Sequence, residues 1–313
     1  MKNILVIGSS NIDHVVHVAH MPTCGETIIG GSYQQNFGGK GANQAYACGK
    51  LGGSVRFLSA VGDDALGKQM IEHLGDVNVD CVTVRVCEGI NTGMAFINVD
   101  AEGDNSIVVV PGANAKCDAD TVEAFSDAIK NADIVMLQLE IPYDAVRLAI
   151  RKARELGKIV VLDPAPAPED GIEDEVLRGI NYLTPNVIEL KMLTDMPTDT
   201  MEQIDAAAAV LLRRGVESVV VTMGDKGVYL KSAEQVRTYP AFSVLPVDTT
   251  AAGDTFNAAM AVSLAKTEAF TDEVIEFANA AAALSTTRQG AQASVPSREE
   301  TETFIAKYRR NEE

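Results

Sequence analysis

Residues 248–256 read DTTAAGDTF, and the rest of the chain is best interpreted around this stretch. Small residues and a glycine separate its two acids, and an alanine-rich apolar run follows at 256–265. This order predicts a strand-to-helix turn whose backbone N–H groups face an anion at the positive end of the helix. Asp254 would repel an anion, but it suits a hydroxyl that attacks a phosphoryl group held by those N–H groups. The alternative interpretation is an acid that only stabilises the first helical turn.

Length, composition and charge bound the class of protein. The 313 residues are 46% hydrophobic and 22% charged, which predicts one large or two ordinary folded domains. The net charge of −18 argues against a nucleic acid or an anionic membrane as partner. Five cysteines, an odd number without a C-x-x-C pair, are typical of buried thiols in a reducing compartment. The apolar run at 3–8 is too short for a signal peptide or a membrane span, so we expect a soluble cytoplasmic protein.

Strand patterns alternate with helical patterns along most of the chain. The predicted strands lie at 3–8, 55–61, 133–139, 158–162, 182–184 and 218–222. The predicted helices lie at 65–74, within 118–131, and at 145–156, 204–213, 256–265 and 273–285. This alternation predicts an α/β fold, a doubly wound and mostly parallel sheet with helices on both faces.

Two segments do not follow this alternation. Residues 14–37 and 90–110 are rich in β formers and predict a small separate sheet, inserted into a single domain that spans 1–313. Apolar residues on such a sheet need a cover, which is either a ligand of the main domain or a second subunit.

Polar side chains recur where the predicted strands end. They are Asn11, Asp13, Glu140, Asp163, Asn186, Thr222 and Asp248. Open α/β sheets bind ligands beyond the carboxyl ends of their strands. Asn11 and Asp13 are two residues apart, so on an extended segment they point the same way. An amide and a carboxylate together suit the hydroxyls of a polyol, although a plain polar turn would give the same pattern.

A glycine-rich loop, FGGKGANQA, occupies residues 37–45. Its glycines allow a ligand to approach the backbone closely, and Lys40 and Asn43 are placed to contact a sugar or a phosphate. The sequence has neither the Walker A pattern nor the dinucleotide G-x-G-x-x-G. A plain turn is the alternative for this loop.

Together these motifs give the chain a resemblance to the ribokinase family of carbohydrate kinases. GGKGAN at 38–43, DTTAAGDTF at 248–256 and N-x-x-E at 186–189 match its signatures, and PAPA at 164–167 and GAQASVP at 290–296 extend the match over essentially the whole chain. The resemblance implies a ribokinase-like fold in which the small sheet is a lid that closes over the sugar and forms a homodimer contact. It also implies phosphorylation of the 5-hydroxyl of D-ribose by ATP, with Mg²⁺ and K⁺ as cofactors.

The resemblance further implies roles for individual residues. Asp254 would be the catalytic base, beside an anion hole made by the N–H groups of Ala251, Ala252, Gly253 and Asp254. The sugar-binding residues would be Asn11, Asp13, Gly39, Lys40, Asn43, Glu140 and Asp254. The nucleotide-binding residues would be Asn186, Thr222, Gly224, Asp225, Lys226, Gly227, Gly253 and Asn279. Glu189 would act on Mg²⁺ through water, and a monovalent cation would lie among Asp248, Thr250, Ser285, Arg288, Gly290 and Ser294.

Other functions stay open at this point. A sibling kinase would act on fructose, deoxyribose, a keto-deoxy sugar acid or a nucleoside. A non-catalytic sugar sensor on the same fold is a second class, which the intact Gly253 and Asp254 disfavour. A nicotinamide oxidoreductase is disfavoured by the missing dinucleotide motif.

Overall fold

Two separate sheets organise the fold in the computed structural model, which describes residues 1–267 and 270–312. The strands are β1 (Asn3–Ile7), β2 (Asn11–His17), β3 (Ser32–Gly38), β4 (Ser54–Gly62), β5 (Asp80–Cys87), β6 (Gly93–Val99), β7 (Asn105–Val110), β8 (Ile134–Leu137), β9 (Ile159–Leu162), β10 (Tyr182–Leu183), β11 (Ser218–Thr222), β12 (Val228–Ser232) and β13 (Val236–Tyr239). The α-helices are α1 (Lys40–Lys50), α2 (Ala65–Gly75), α3 (Ala119–Ala124), α4 (Ser126–Asn131), α5 (Tyr143–Glu155), α6 (Asp174–Leu177), α7 (Val187–Thr194), α8 (Met201–Arg213), α9 (Ala252–Leu264), α10 (Asp272–Thr286) and α11 (Arg298–Glu312).

The larger sheet confirms the predicted doubly wound architecture. Over the described residues it has nine strands in the order β13-β12-β11-β10-β9-β8-β1-β4-β5. The strands from β11 to β5 run parallel, and β12 and β13 add an antiparallel edge. In such a sheet the strands' carboxyl ends meet at one edge, where ligands bind.

Helices cover both faces of this sheet, because successive apolar side chains of β1 point to opposite faces and all need cover. Ile4 and Val6 pack in a cluster with residues of α1, α2, α9 and α10. Leu5 and Ile7 point the other way, into a cluster with residues of α3 to α8. All four β1 side chains are buried, as expected of a parallel strand covered on both sides.

The small sheet is built from the two segments with excess β formers. Its strands lie in the order β3-β2-β6-β7, with β2 parallel to β6 and the other pairs antiparallel. The first strand begins at Asn11 rather than at residue 14, so Asn11 and Asp13 lie inside this sheet. This register places both side chains on one face of the small sheet.

Two local predictions differ from the structure. The expected helix within 118–131 is two helices, because Phe125 leaves the helical conformation with φ −106° and ψ 23°. The edge strand β5 was not predicted, and it pairs with β4 through a register shift near Arg56. Both features depend on tertiary contacts more than on the local pattern. Among the described helices, none is long and apolar enough to cross a membrane.

Candidate active site

The start of α9 provides the predicted anion-binding backbone. Ala251, the N-cap, adopts the left-handed conformation with φ 58°, and this turns the chain from the 248–250 segment into the helix. The N–H of Ala252, predicted to belong to the anion hole, instead donates to the carbonyl of Thr249 at 3.2 Å. The N–H groups of Ala251, Gly253 and Asp254 find no acceptor among the described residues. A side chain at Gly253 would project into open space, so there is room for a ligand above these groups.

The Asp254 carboxylate is buried and held at both oxygens. Its Oδ2 accepts from Asn43 Nδ2 at 2.9 Å, and its Oδ1 accepts from Gln44 Nε2 at 3.1 Å. Lys40 Nζ lies 3.9 Å from Oδ1. All three neighbours come from α1, where positions i, i+3 and i+4 share one face. The glycine-rich loop therefore brings its helix against the carboxylate at the start of α9.

Lys40 is the cation at the centre of several acids. Its Nζ lies 3.4 Å from Asp163 Oδ2. Burial alone would lower the pKa of Lys40, but Asp163, Asp254 and Glu140 outweigh it and hold that pKa above its ordinary value. Lys40 is thus an ammonium ion at neutral pH, and it partly neutralises the surrounding carboxylates.

Glu140 is oriented by the backbone of the same loop. Its Oε2 accepts from Ser9 Oγ at 2.6 Å and from the N–H of Lys40 at 2.9 Å. Gly39, just before that N–H, has φ 84°, and a side chain there would lie 2.7 Å from the backbone nitrogen of Asn11. Only glycine fits that conformation and that approach, so the motif brings Glu140 and β2 together.

Asn11 and Asp13 complete the predicted sugar pocket. Asn114 Nδ2 donates to Asn11 Oδ1 at 2.7 Å, which leaves the Asn11 amide nitrogen free to turn towards a ligand. Burial, reinforced by the carboxylates of Glu140 and Asp254, raises the pKa of Asp13 from 3.8 to about 7. The two acids that raise this pKa are close enough to share one pocket with Asp13.

The predicted nucleotide residues at 186–227 adjoin one another at the ends of β10 and β11. Asn186 forms an isolated parallel bridge with Thr222. The next loop needs its glycines: Gly224 has φ 61° and Gly227 has φ 92°. A side chain at Gly227 would meet the carbonyl of Tyr239 at 2.0 Å. Between these glycines, Asp225 and Lys226 are exposed in a short 3₁₀ turn.

Asn186 and Glu189 also form a capping box at the start of α7. Asn186 Oδ1 accepts from the N–H groups of Ile188 and Glu189, and Glu189 Oε2 accepts from the N–H of Asn186 at 2.8 Å. The N-x-x-E motif therefore has a structural role besides its predicted one. Glu189 Oε1 and Asn186 Nδ2 stay available to a hydrated ion or a phosphate.

Asn279 lies apart, on α10. Its amide donates to the carbonyl of Pro240 at 3.2 Å. It borders a groove of about 560 Å³ that is also lined by residues 237–242 and by the end of α11. An amide at the wall of such a groove suits an adenine edge.

Three of the predicted cation residues, Asp248, Thr250 and Gly290, are joined by hydrogen bonds. Asp248 Oδ1 accepts from the N–H of Thr250 at 2.9 Å, and Oδ2 accepts from the N–H of Gly290 at 2.8 Å. Burial raises the pKa of Asp248, but the hydrogen bonds from Thr250 and Gly290 outweigh it and hold the pKa below its usual value. Asp248 is thus a carboxylate, and each of its oxygens keeps one lone pair for a further contact.

The other members of this set offer backbone oxygens more than side chains. The hydroxyls of Ser285 and Ser294 donate to the carbonyls of Ala282 and Ala291, each at 2.8 Å. The Arg288 guanidinium pairs with Glu300 at 2.6 Å. One carboxylate with several carbonyls suits a weakly bound monovalent cation. Among the described residues, no group of three or more His, Cys, Asp or Glu side chains forms a metal site.

Several residues of the site had no predicted role. Asp163 was noted only as a strand-end acid, and Gln44, Gln138, Gln292 and Asn114 were not singled out. The helical spacing of Lys40, Asn43 and Gln44 carried a usable signal, because it places Gln44 on the same face. The remaining contacts join residues about a hundred or more positions apart, which no local pattern reveals.

Known proteins are similar to this chain over nearly its full length. The ribokinase of Haemophilus influenzae is 40% identical over 97% of this chain and 98% of its own. The deoxyribokinase of Salmonella typhimurium is 34% identical over 97% of this chain and 99% of its own. The structure of Arabidopsis thaliana ribokinase complexed with ribose and ATP superposes with a TM-score of 0.91 at 36% identity, over 97% of this chain and 98% of that one. The model of the pfkB family of carbohydrate kinases matches residues 1–298, and the chain belongs to that family.

Proposed function

We propose that this chain transfers the γ-phosphoryl group of ATP to the 5-hydroxyl of D-ribose, giving D-ribose 5-phosphate and ADP. The observation that carries the proposal is the placement of Asp254. Its buried carboxylate accepts from Asn43 and Gln44 and lies beside N–H groups that have no acceptor among the described residues. The relatives named above make ribose the leading sugar.

The proposed chemistry depends on positioning and charge neutralisation. Asp254 accepts the proton of the attacking hydroxyl, and the N–H groups of Gly253 and Asp254 stabilise charge on the transferring group. A carboxylate is a weak base, but it is sufficient late in the reaction, as the hydroxyl acidifies. Lys40 keeps the acids of the pocket close together without strong repulsion. Asn11 and Asp13 on the small sheet orient the sugar's other hydroxyls.

Mg²⁺ fits the free oxygen of Glu189, through water, and it would neutralise phosphate charge when bound. The chain's own contribution to ATP binding comes from the 224–227 loop, Asn186, Thr222 and Asn279. The loop turns at Gly224 and Gly227, which both have positive φ. Asn186 caps α7, Thr222 ends β11, and Asn279 lies at the wall of the groove.

A small-sugar panel tests the proposal. ADP release is measured with Mg-ATP and K⁺ against ribose, 2-deoxyribose, fructose, a keto-deoxy sugar acid and a nucleoside. We expect ribose to give the highest kcat/KM. A higher kcat/KM for 2-deoxyribose than for ribose would leave the mechanism unchanged and make deoxyribose the substrate. Deoxyribose is the second candidate because one relative is a deoxyribokinase. Ribose binding without turnover on any sugar would indicate a sensor instead.

Monovalent cations should control the rate. We propose that K⁺ would be held by Asp248 and by backbone carbonyls between the end of α10 and Ser294, where it would stabilise the start of α9. We therefore expect a severalfold higher kcat in K⁺ than in Na⁺ at equal ionic strength, and loss of this preference in Asp248→Ala. Choline chloride serves as the control salt. Equal kcat values in all three salts would contradict a role for the monovalent cation.

We also propose that the small sheet is a lid and that two copies associate through it. Its edge strand β7 exposes four consecutive apolar residues, Ile107 to Val110, and Phe96 on β6 is exposed as well. Edge strands with such surfaces are normally covered. Sedimentation should show a dimer that Val108→Lys weakens; a wild-type monomer at micromolar concentration would contradict this proposal.

A further inference from the structure

We propose that Gln44 is a positioning residue for the catalytic carboxylate and that it couples Asp254 to a second buried carboxylate, Asp163. The inference rests on the proposed function, in which Asp254 is the base. The family resemblance assigns no role to Gln44. Its side chain is 1% exposed and contacts both acids.

The orientation of the Gln44 amide is fixed by its surroundings. Nε2 donates one hydrogen to Asp254 Oδ1 at 3.1 Å and one to Asp163 Oδ2 at 3.0 Å. Oε1 accepts from Gln138 Nε2 at 2.6 Å. The opposite orientation would aim the amide oxygen at two carboxylates, with acceptor facing acceptor on both sides. The two N–H groups therefore face the two acids.

This geometry restricts rotation of the base. Gln44 holds one oxygen of Asp254 and Asn43 holds the other, so the plane of the carboxylate is fixed. Each oxygen keeps one lone pair, and the lone pair towards the pocket can accept the proton of the substrate. A misplacement of about 1 Å costs on the order of a hundredfold in rate. A donor that sets this plane acts on the chemical step more than on sugar binding.

The same amide also bears on the charge of the pair. Asp163 and Asp254 would repel each other as anions, and Lys40 and Gln44 are the donors that contact both. Burial raises the pKa of Asp163, and Lys40 opposes that rise. An N–H donor favours the ionised form of the carboxyl that it contacts. Without Gln44, Asp163 should hold its proton up to a higher pH, and the charges of Asp254 and Glu189, which also raise its pKa, would add to that tendency.

The test is a set of substitutions measured in the full-length protein. Gln44→Met keeps the length of the side chain and removes both donors. We expect kcat to fall about 10- to 100-fold, with KM for ribose and ATP nearly unchanged and the acid limb of the kcat–pH profile moved to higher pH. Gln44→Glu should lose more at pH 8, and its deficit relative to Gln44→Met should narrow towards pH 6, where the new carboxyl protonates and can donate.

Gln138→Met is the matched control. Gln138 is equally buried and donates to Gln44, but its hydrogen bonds do not reach either acid. A packing role alone predicts similar losses for Gln44→Met and Gln138→Met, with unchanged pH profiles, and that result would overturn the inference. Gln44→Asn, which keeps the amide but cannot reach both acids, replaces Gln44→Met if the latter fails to fold, with the same expected outcome. Wild-type inactivity on every sugar would refute the proposed function itself, whereas an active wild type with a normal Gln44→Met refutes only this inference.

Discussion

Asp254→Asn is expected to reduce turnover about 10³-fold or more, because general-base catalysis typically contributes 10²–10⁴-fold. The substitution keeps the shape of the side chain and removes the proton acceptor. One face of the new amide would also carry hydrogens towards Asn43 or Gln44, which now donate to the carboxylate. ADP release gives the rate. Calorimetry with ribose and with a non-hydrolysable ATP analogue should show that both still bind.

A control separates catalysis from helix stabilisation. Asp254 lies in the first turn of α9, where an acid stabilises a helix by roughly 0.3–1 kcal/mol. Asp120 also lies in the first turn of its helix, α3, and is exposed. Asp120→Asn should leave turnover unchanged. Near-normal turnover in Asp254→Asn would contradict the role of Asp254 as base.

Asp13→Asn should make the protein more stable at neutral pH and much weaker at binding ribose. The pKa of Asp13 is raised from 3.8 to about 7 by burial and by Glu140 and Asp254. The folded state therefore binds this proton more tightly than the unfolded state does. Stability is lost as pH rises between these two values, and the cost is fully present above about pH 7. An uncharged amide avoids a cost of at most about 4 kcal/mol.

The loss of affinity has a separate cause. A carboxylate accepts hydrogen bonds from sugar hydroxyls, and bonds to a charged group contribute about 1.5–3 kcal/mol, so KM for ribose should rise about 10- to 100-fold. Gly38→Ala should weaken ribose binding similarly, because its methyl group would lie 2.1 Å from Asp13 Oδ2.

Thermal unfolding at pH 4.5 and at pH 8 measures the stability effect. The gain from Asp13→Asn should be largest at pH 8 and much smaller at pH 4.5, where Asp13 is protonated in the folded state and most of the cost has not yet developed. Asp170→Asn, on the surface, is the control and should shift stability by less than about 0.5 kcal/mol at either pH. An Asp13→Asn protein that is less stable than the wild type at pH 8 would mean that the ionised Asp13 stabilises the folded protein, which contradicts the prediction.

The sequence predicted the framework of the site better than its inner contacts. Buried parallel strands carry continuous apolar runs, so β1, β4 and β11 were visible in the sequence, and DTTAAGDTF predicted the turn into α9. The edge strand β5 alternates buried and exposed residues irregularly and was not predicted.

Other features depend on contacts that only the fold creates. The break at Phe125 divides a helix that local pattern alone would continue. Gln44 contacts Asp254 across 210 positions and Asp163 across 119 positions of the chain. The sequence shows that an amide follows Asn43, but not that two acids will share it. The capping box of Asn186 and Glu189 was present in the sequence, where the family resemblance directed attention to the nucleotide instead.

The most direct test of the central claim is the identity of the product. Ribose and ATP are incubated with the enzyme, and proton-coupled phosphorus NMR assigns the carbon that carries the new phosphate. The account predicts one monoester whose phosphorus couples to the two protons on carbon 5, formed in equal amount with ADP and absent with Asp254→Asn. A phosphate on carbon 1, or ADP and inorganic phosphate without a sugar ester, would contradict it.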